Sequence, residues 1–183
     1  RDYLMGERSN GIDIMAWNAD STRMPYRMHS QYLRSLYLDN DLAEGRFKIA
    51  GKPISVQDIR APIFALGTEQ DHVAPWRSVY KIHLHAQGDI TFLLASGGHN
   101  AGIVSEPGHP GRSYRVGAHN DNHYVDPDTW LATATTKPGS WWLEWAEWLD
   151  RQASGARANA PKEAGSAKCR PLGDAPGTYV LVE

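Results

Sequence analysis

Two short apolar runs, set one helix length apart, constrain this chain more than any other feature. Residues 62–66 (Pro-Ile-Phe-Ala-Leu) and 90–95 (Ile-Thr-Phe-Leu-Leu-Ala) each have the length of a buried strand and run into Gly-containing loops. Residues 76–86 between them read as a helix. A strand, a crossover helix and a second strand make a parallel pair, so the expected fold class is α/β. Two strands cannot make a sheet covered on both faces, and the rest of the sheet is therefore expected outside this chain. The start at Arg1-Asp2-Tyr3, in place of Met, agrees with that expectation.

The flanking segments read less sharply. Met24, Met28, Tyr32, Leu36 and Tyr37 recur at three-to-four-residue steps, one face of a helix whose first turn suits Pro25. Residues 46–56 read as a hairpin turning at Ala50-Gly51-Lys52-Pro53. The stretch 106–127 is full of Gly, Pro, Asn and Asp and is expected to be loop. Asp126-Pro127-Asp128 opens one helix, and Gly139-Ser140 caps another carrying Trp141, Trp142, Trp145, Trp148 and Leu149. That tryptophan cluster has helical spacing and is read as core packing in preference to a polymer-binding strip. Residues 153–166 have linker composition, and residues 171–182 read as a small β element.

Composition excludes several functions. The net charge of −2 spreads no basic field that would draw nucleic acid or anionic lipid. No run reaches the roughly 20 apolar residues that span a bilayer. Cys169 is the sole cysteine, so no internal disulfide forms and a reducing compartment is the simple reading. Seven tryptophans and eight tyrosines imply large amphipathic contact surfaces.

Asp71 follows the first strand through Gly67-Thr68-Glu69-Gln70, and His99 follows the second through Ser96-Gly97-Gly98. In a parallel pair both loops leave the same sheet edge, so the two side chains are expected within hydrogen-bond reach. An acid beside a histidine holds the imidazole in one tautomer and stabilises its protonated form. Their order matches the nucleophile, acid, histidine sequence of α/β-hydrolase-type triads. No Gly-x-Ser/Cys-x-Gly elbow precedes Asp71, and Cys169 sits beyond the histidine in a tail, the wrong context for a nucleophile. His119 and His123 alternate with Asn and Asp, a spacing that could offer metal ligands, but too few are present and no metal is expected. His83 and His85 lie two apart on the helix reading and face apart.

Several stretches resemble polyhydroxyalkanoate synthases, closest to the single-subunit type that prefers short-chain monomers. These are Trp17-Asn18-Ala19-Asp20-Ser21-Thr22-Arg23-Met24-Pro25, then Tyr32-Leu33-Arg34 with Tyr37-Leu38, Asn40 and Leu42. Asp71-His72-Val73-Ala74-Pro75-Trp76, Ser96-Gly97-Gly98-His99-Asn100-Ala101-Gly102 and Gly139-Ser140-Trp141-Trp142 follow in family order. The resemblance implies the C-terminal portion of an α/β-hydrolase fold with part of a helical cap, its first strands and nucleophile elbow missing. By it, residues 1–56 are part of the cap, 57–152 the catalytic portion, and 153–183 linker and tail. It implies an acyltransferase that polymerises 3-hydroxyacyl units from coenzyme A thioesters through a Cys-His-Asp triad, with Asp71 and His99 as two members. His72 becomes a candidate substrate contact. No cofactor is implied; the expected partners are the thioester, the growing polyester and the granule surface, with a homodimer as the full-length state in the cytoplasm. Without the cysteine, this chain alone is expected to be inactive. Rival readings are a thioesterase, esterase or depolymerase of the same fold, or a truncated, non-catalytic homologue that binds a synthase or a granule.

Overall fold

The computed structural model describes residues 23–119, 124–161, 164–174 and 177–178. The motif at 17–22 and His123 lie outside the described residues. Two compact units are present, Arg1–Trp141 and Trp142–Glu183.

In the first unit, helix α1 (Tyr26–Tyr32) runs into a π-helical turn (Leu33–Leu38). π-Helical winding brings residues five apart together, and the Tyr32 and Tyr37 rings meet edge-on at 5.4 Å. Little of this apolar face is packed. Met28 is 57% and Tyr37 71% exposed, and no residue of either segment is buried. Periodicity identified the helix, but burial needs an enclosing surface, and the described residues give Tyr32, Leu36 and Tyr37 only an open groove shared with Val79, Ile82 and His85.

Strands β1 (Phe47–Ile49) and β2 (Lys52–Ile54) form the expected hairpin. Its turn is shorter than expected: Ala50 and Gly51 take φ of 49° and 80°, and Lys52 and Pro53 already belong to β2. Two consecutive left-handed residues are what the right-handed twist of a tight hairpin requires.

The main sheet has the order β3-β4-β5-β6. β3 (Ile63–Thr68) and β4 (Ile90–Ala95) are the two predicted strands, and they pair parallel from Ile63↔Ile90 to Thr68↔Ala95. The connection holds two short helices, α2 (Trp76–Tyr80) and α3 (Ile82–His85), in place of one continuous helix. The expectation of a two-stranded remnant and a loop over 106–127 is corrected. Ser113–His119 forms β5, antiparallel to β4, and Thr135–Pro138 forms β6, antiparallel to β5. Helix α4 (Pro127–Thr133) lies between them in sequence and opens as expected, with Asp126 Oδ1 accepting from the Asp128 and Thr129 N–H groups at 3.0 Å.

Glycine hid β5 from sequence reading. Gly117 lies opposite Phe92 in the ladder, and a Cβ there would sit 2.7 Å from Trp130 Nε1. The strand carries glycine because the indole of α4 occupies the space a side chain would need. The core forms around that contact. Phe92 is wholly buried, with ring centroids 4.9 Å from Tyr80 and 5.0 Å from Trp130. Trp76 and Leu94 complete the cluster. Successive strand residues face opposite sides, so Leu93 and Phe64 belong to the other face, where Phe64 stacks on Trp141 at 6.4 Å. Burial pushes the Tyr80 phenol up to about 12, which keeps it protonated as donor to the Val125 carbonyl at 3.0 Å.

The second unit holds helix α5 (Trp142–Gln152) and the tail. Of the predicted tryptophan core only Trp141 is buried; Trp145 is 41% exposed, and α5 has no buried residue. The described residues of 171–182 form no strand. No helix among the described residues is long and apolar enough to cross a membrane.

Gly117→Ala tests the packing argument. Overpacking a filled site typically costs about 1–3 kcal/mol, and urea unfolding should show a loss of that size. A variant as stable as the original chain would mean that Trp130 does not hold this position.

Candidate active site

The parallel ladder continues past both strands and brings their loops together. The Glu69 N–H donates to the Ala95 carbonyl at 2.9 Å, and the Gln70 N–H to the Gly97 carbonyl at 3.0 Å. The chains then diverge. Gly97, at φ 103°, turns the second loop where a Cβ would meet Arg112 Nη1 at 2.9 Å and Gly102 Cα at 3.1 Å. That position accepts only glycine, on conformation and on space alike.

The first loop is anchored at both ends. Thr68 is 1% exposed, and Trp76 is buried with its Cβ close against Gly67. Between them Asp71 folds back on its own backbone, its Oδ1 accepting from the Val73 and Ala74 N–H groups, each at 2.8 Å. This local turn aims Oδ2 across to the second loop. There it lies 2.8 Å from His99 Nδ1 and 3.4 Å from the Thr68 hydroxyl.

The resulting pair is asymmetric. The Asp71 side chain is 8% exposed and that of His99 45%. The Ala74 N–H holds the Asp71 carboxyl down, against the opposing effect of burial, with help from His99 and the Val73 N–H. The net result is about 2, from an ordinary 3.8. Asp71 is therefore an ionised acceptor at neutral pH. With Nδ1 directed at a carboxylate, the neutral imidazole carries its hydrogen there, and Nε2 presents its lone pair outward. An imidazole held in this way can take a proton from a neighbouring thiol or hydroxyl and return it to a leaving group.

The remaining sequence candidates do not join this pair. His72 is exposed on the turn beside Asp71. His83 stacks on Tyr80 at 4.2 Å, with Nδ1 2.8 Å from the Tyr80 carbonyl, in the core layer. His119 ends β5, and no group of three His, Cys, Asp or Glu side chains able to hold a metal occurs among the described residues. Cys169 is exposed in the second unit. A second acid–histidine contact, His109 to Glu106 at 3.1 Å, is three residues apart on one loop with the acid 59% exposed; it lacks a buried partner.

Sequence reasoning missed Thr68 and the Arg115–Glu69 ion pair that links β5 to the acid loop. Thr68 had a signal, as the polar residue ending an apolar strand three positions before the acid. Arg115 had none, because the strand that carries it was read as loop.

The depressed Asp71 carboxyl gives a pH prediction. A group whose folded value lies below its unfolded value stabilises the fold above the unfolded value, and that contribution is lost as pH falls through the folded one. The stability gap between the chain and Asp71→Asn should thus be full above about pH 4 and close toward about pH 2. Thermal melts of both proteins across that window measure it; a gap that widens on acidification would contradict the assignment.

No protein-family model matches the chain. It is 38% identical over 184 residues to the poly(3-hydroxyalkanoate) polymerase of Methylorubrum extorquens, covering 100% of this chain and 29% of that protein. It is 36% identical to the poly(3-hydroxyalkanoate) polymerase subunit PhaC of Rhizobium meliloti over 181 residues, 99% of this chain and 29% of the other. The PhaC subunit of Cupriavidus necator is also 36% identical, over 180 residues, 98% of this chain and 30% of that protein. The chain thus spans under a third of the length of the relatives it matches.

Proposed function

The chain belongs to the poly(3-hydroxyalkanoate) polymerase family, and on that premise we propose that it supplies the acid and the histidine of an acyl-transferring site. The observation that carries this reading is the 2.8 Å contact between Asp71 and His99 from the carboxyl ends of adjacent parallel strands. The proposed frame is the C-terminal portion of an α/β-hydrolase fold. In its favour, β3 stands at the edge of the sheet with an uncharged, proline-free run from Ile63 to Thr68. Exposed edges are normally guarded by charge or proline, so an unguarded one suits a sheet that continues.

In this proposal the nucleophile is a cysteine outside the chain. His99 Nε2 raises its thiolate fraction by taking the thiol proton, and the thiolate attacks the acyl carbonyl of a 3-hydroxyacyl-coenzyme A. Coenzyme A departs as a thiol with the proton that His99 returns. The 3-hydroxyl of a further unit then attacks the acyl-cysteine, giving up its proton to His99; the C–S bond breaks, the cysteine leaves as the thiolate and takes that proton back, and the new ester bond lengthens the polymer. Asp71 stabilises the imidazolium at each protonated stage. His72, exposed beside the acid, is proposed to face substrate or polymer. The proposed setting is a homodimeric polymerase at the surface of polymer granules in the cytoplasm.

The test is a chimaera in which residues 1–183 replace the matching segment of the Methylorubrum extorquens polymerase. His99→Gln should lower coenzyme A release and polymer yield by about 10²–10⁴, the usual worth of general-base assistance. Asp71→Asn should depress elongation clearly, because an amide can accept a hydrogen bond but cannot stabilise an imidazolium. His119→Ala should do little. Tolerance of His99→Gln with loss in His119→Ala would overturn the reading. The rival hydrolase reading predicts free hydroxy acid in place of polymer.

The 183-residue chain by itself should release no coenzyme A from 3-hydroxybutyryl-coenzyme A. Turnover that disappears in Cys169→Ala would make the tail cysteine a nucleophile and refute the proposed division of the triad.

A further inference from the structure

The His99 side chain is 45% exposed, so core packing does not hold it. Its orientation depends on the backbone of residues 96–105. Part of that loop is self-supporting: the Gly102 N–H donates to the Gly98 carbonyl at 2.8 Å, and the Val104 N–H to the Asn100 carbonyl at 2.9 Å. The rest is tied down from a distant part of the sequence. Trp141 Nε1–H is shared between the Gly102 carbonyl at 3.1 Å and the Ile103 carbonyl at 3.2 Å. The Ser140 hydroxyl donates to the Ser105 carbonyl.

Both donors are buried, Ser140 to 3% and Trp141 to 9% exposure, and Ser105 is 2% exposed. Hydrogen bonds so shielded from water hold their geometry better than exposed ones. The clamp also reaches the acid. Trp141 stacks on Phe64 of β3, the strand that leads to Asp71. Gly102 lies so close to Thr68 that a Cβ would come within 2.6 Å of the Thr68 methyl, and the Thr68 hydroxyl is 3.4 Å from Asp71 Oδ2. One set of buried contacts therefore runs from the 139–141 turn through the histidine loop to the acid. Gly139 sets the turn, its N–H donating to the Arg112 carbonyl at 2.7 Å.

We infer that Ser140 and Trp141 are positioning residues for the Asp71–His99 pair: they fix the histidine loop through three backbone carbonyls and keep Nδ1 on the carboxylate. The inference rests on the proposed roles of Asp71 and His99, and its test separates the two ideas. Trp141→Phe keeps an aromatic ring against Phe64 but removes the N–H together with part of the buried indole; Ser140→Ala removes only the hydroxyl and is the cleaner of the two.

In the chimaeric polymerase each variant should lower kcat roughly tenfold with KM little changed, because a small misplacement of a catalytic group is costly to the chemical step. In the 183-residue chain, nitrogen NMR should show the neutral His99 hydrogen leaving Nδ1 for a mixture of tautomers. Activity that falls only in step with the folded fraction, with an unchanged tautomer, would overturn the inference. If His99→Gln is tolerated in the same chimaera, the acyl-transfer reading fails instead.

Discussion

The parallel pairing of β3 with β4 is the constraint from which the rest of the site follows. Because the strands run the same way and stay in register to Thr68↔Ala95, both chains emerge at one edge of the sheet at the same height. Hydrogen bonds from Glu69 and Gln70 carry that alignment into the loops. A shift of one residue in register would turn the apolar faces of the strand over. Phe92 and Leu94 would then leave the aromatic cluster, and the two loops would lose their match.

On that frame the Asp71–His99 contact divides its work between local and distant structure. Asp71 is held by its own turn, whose backbone N–H groups aim the carboxylate and keep it ionised. His99 has no such local clamp. Its loop is tied to the 139–141 turn, which reaches it after two more strands and a helix. The acid is thus nearly autonomous, while the histidine depends on the completed sheet.

The aromatic layer explains how a small sheet supports this. Trp76, Tyr80 and Trp130 converge on Phe92, and a glycine opposite Phe92 admits the indole. Aromatic side chains bury large areas with few rotatable bonds. The short helices α2 and α4 are fastened by side chains more than by their length. In contrast, α1 and the π-helical turn expose the same kinds of residue. Their periodicity was legible in the sequence and their surroundings were not.

The sequence by itself determined the α/β class, the two parallel strands, the cap of α4 and the order and loops of Asp71 and His99. Each of these is written in contiguous residues: apolar runs of strand length, Asp-Pro at a helix start, Gly-Gly before a histidine. Tertiary structure decided what depends on pairs far apart in the chain. β5 is a strand because β4 offers it a ladder and Trp130 fills the place over Gly117. Residues 106–127 taken alone, rich in turn formers, give no sign of that partner. Only Trp141 of the tryptophan cluster is buried, because burial depends on what faces a side chain and helical spacing does not. For the same reason Thr68, Ser140 and Trp141 become supports of the pair only once folding has brought residues 68, 102 and 141 together. A hydrogen bond needs its partner within about 3 Å, and distance along the chain says nothing about that.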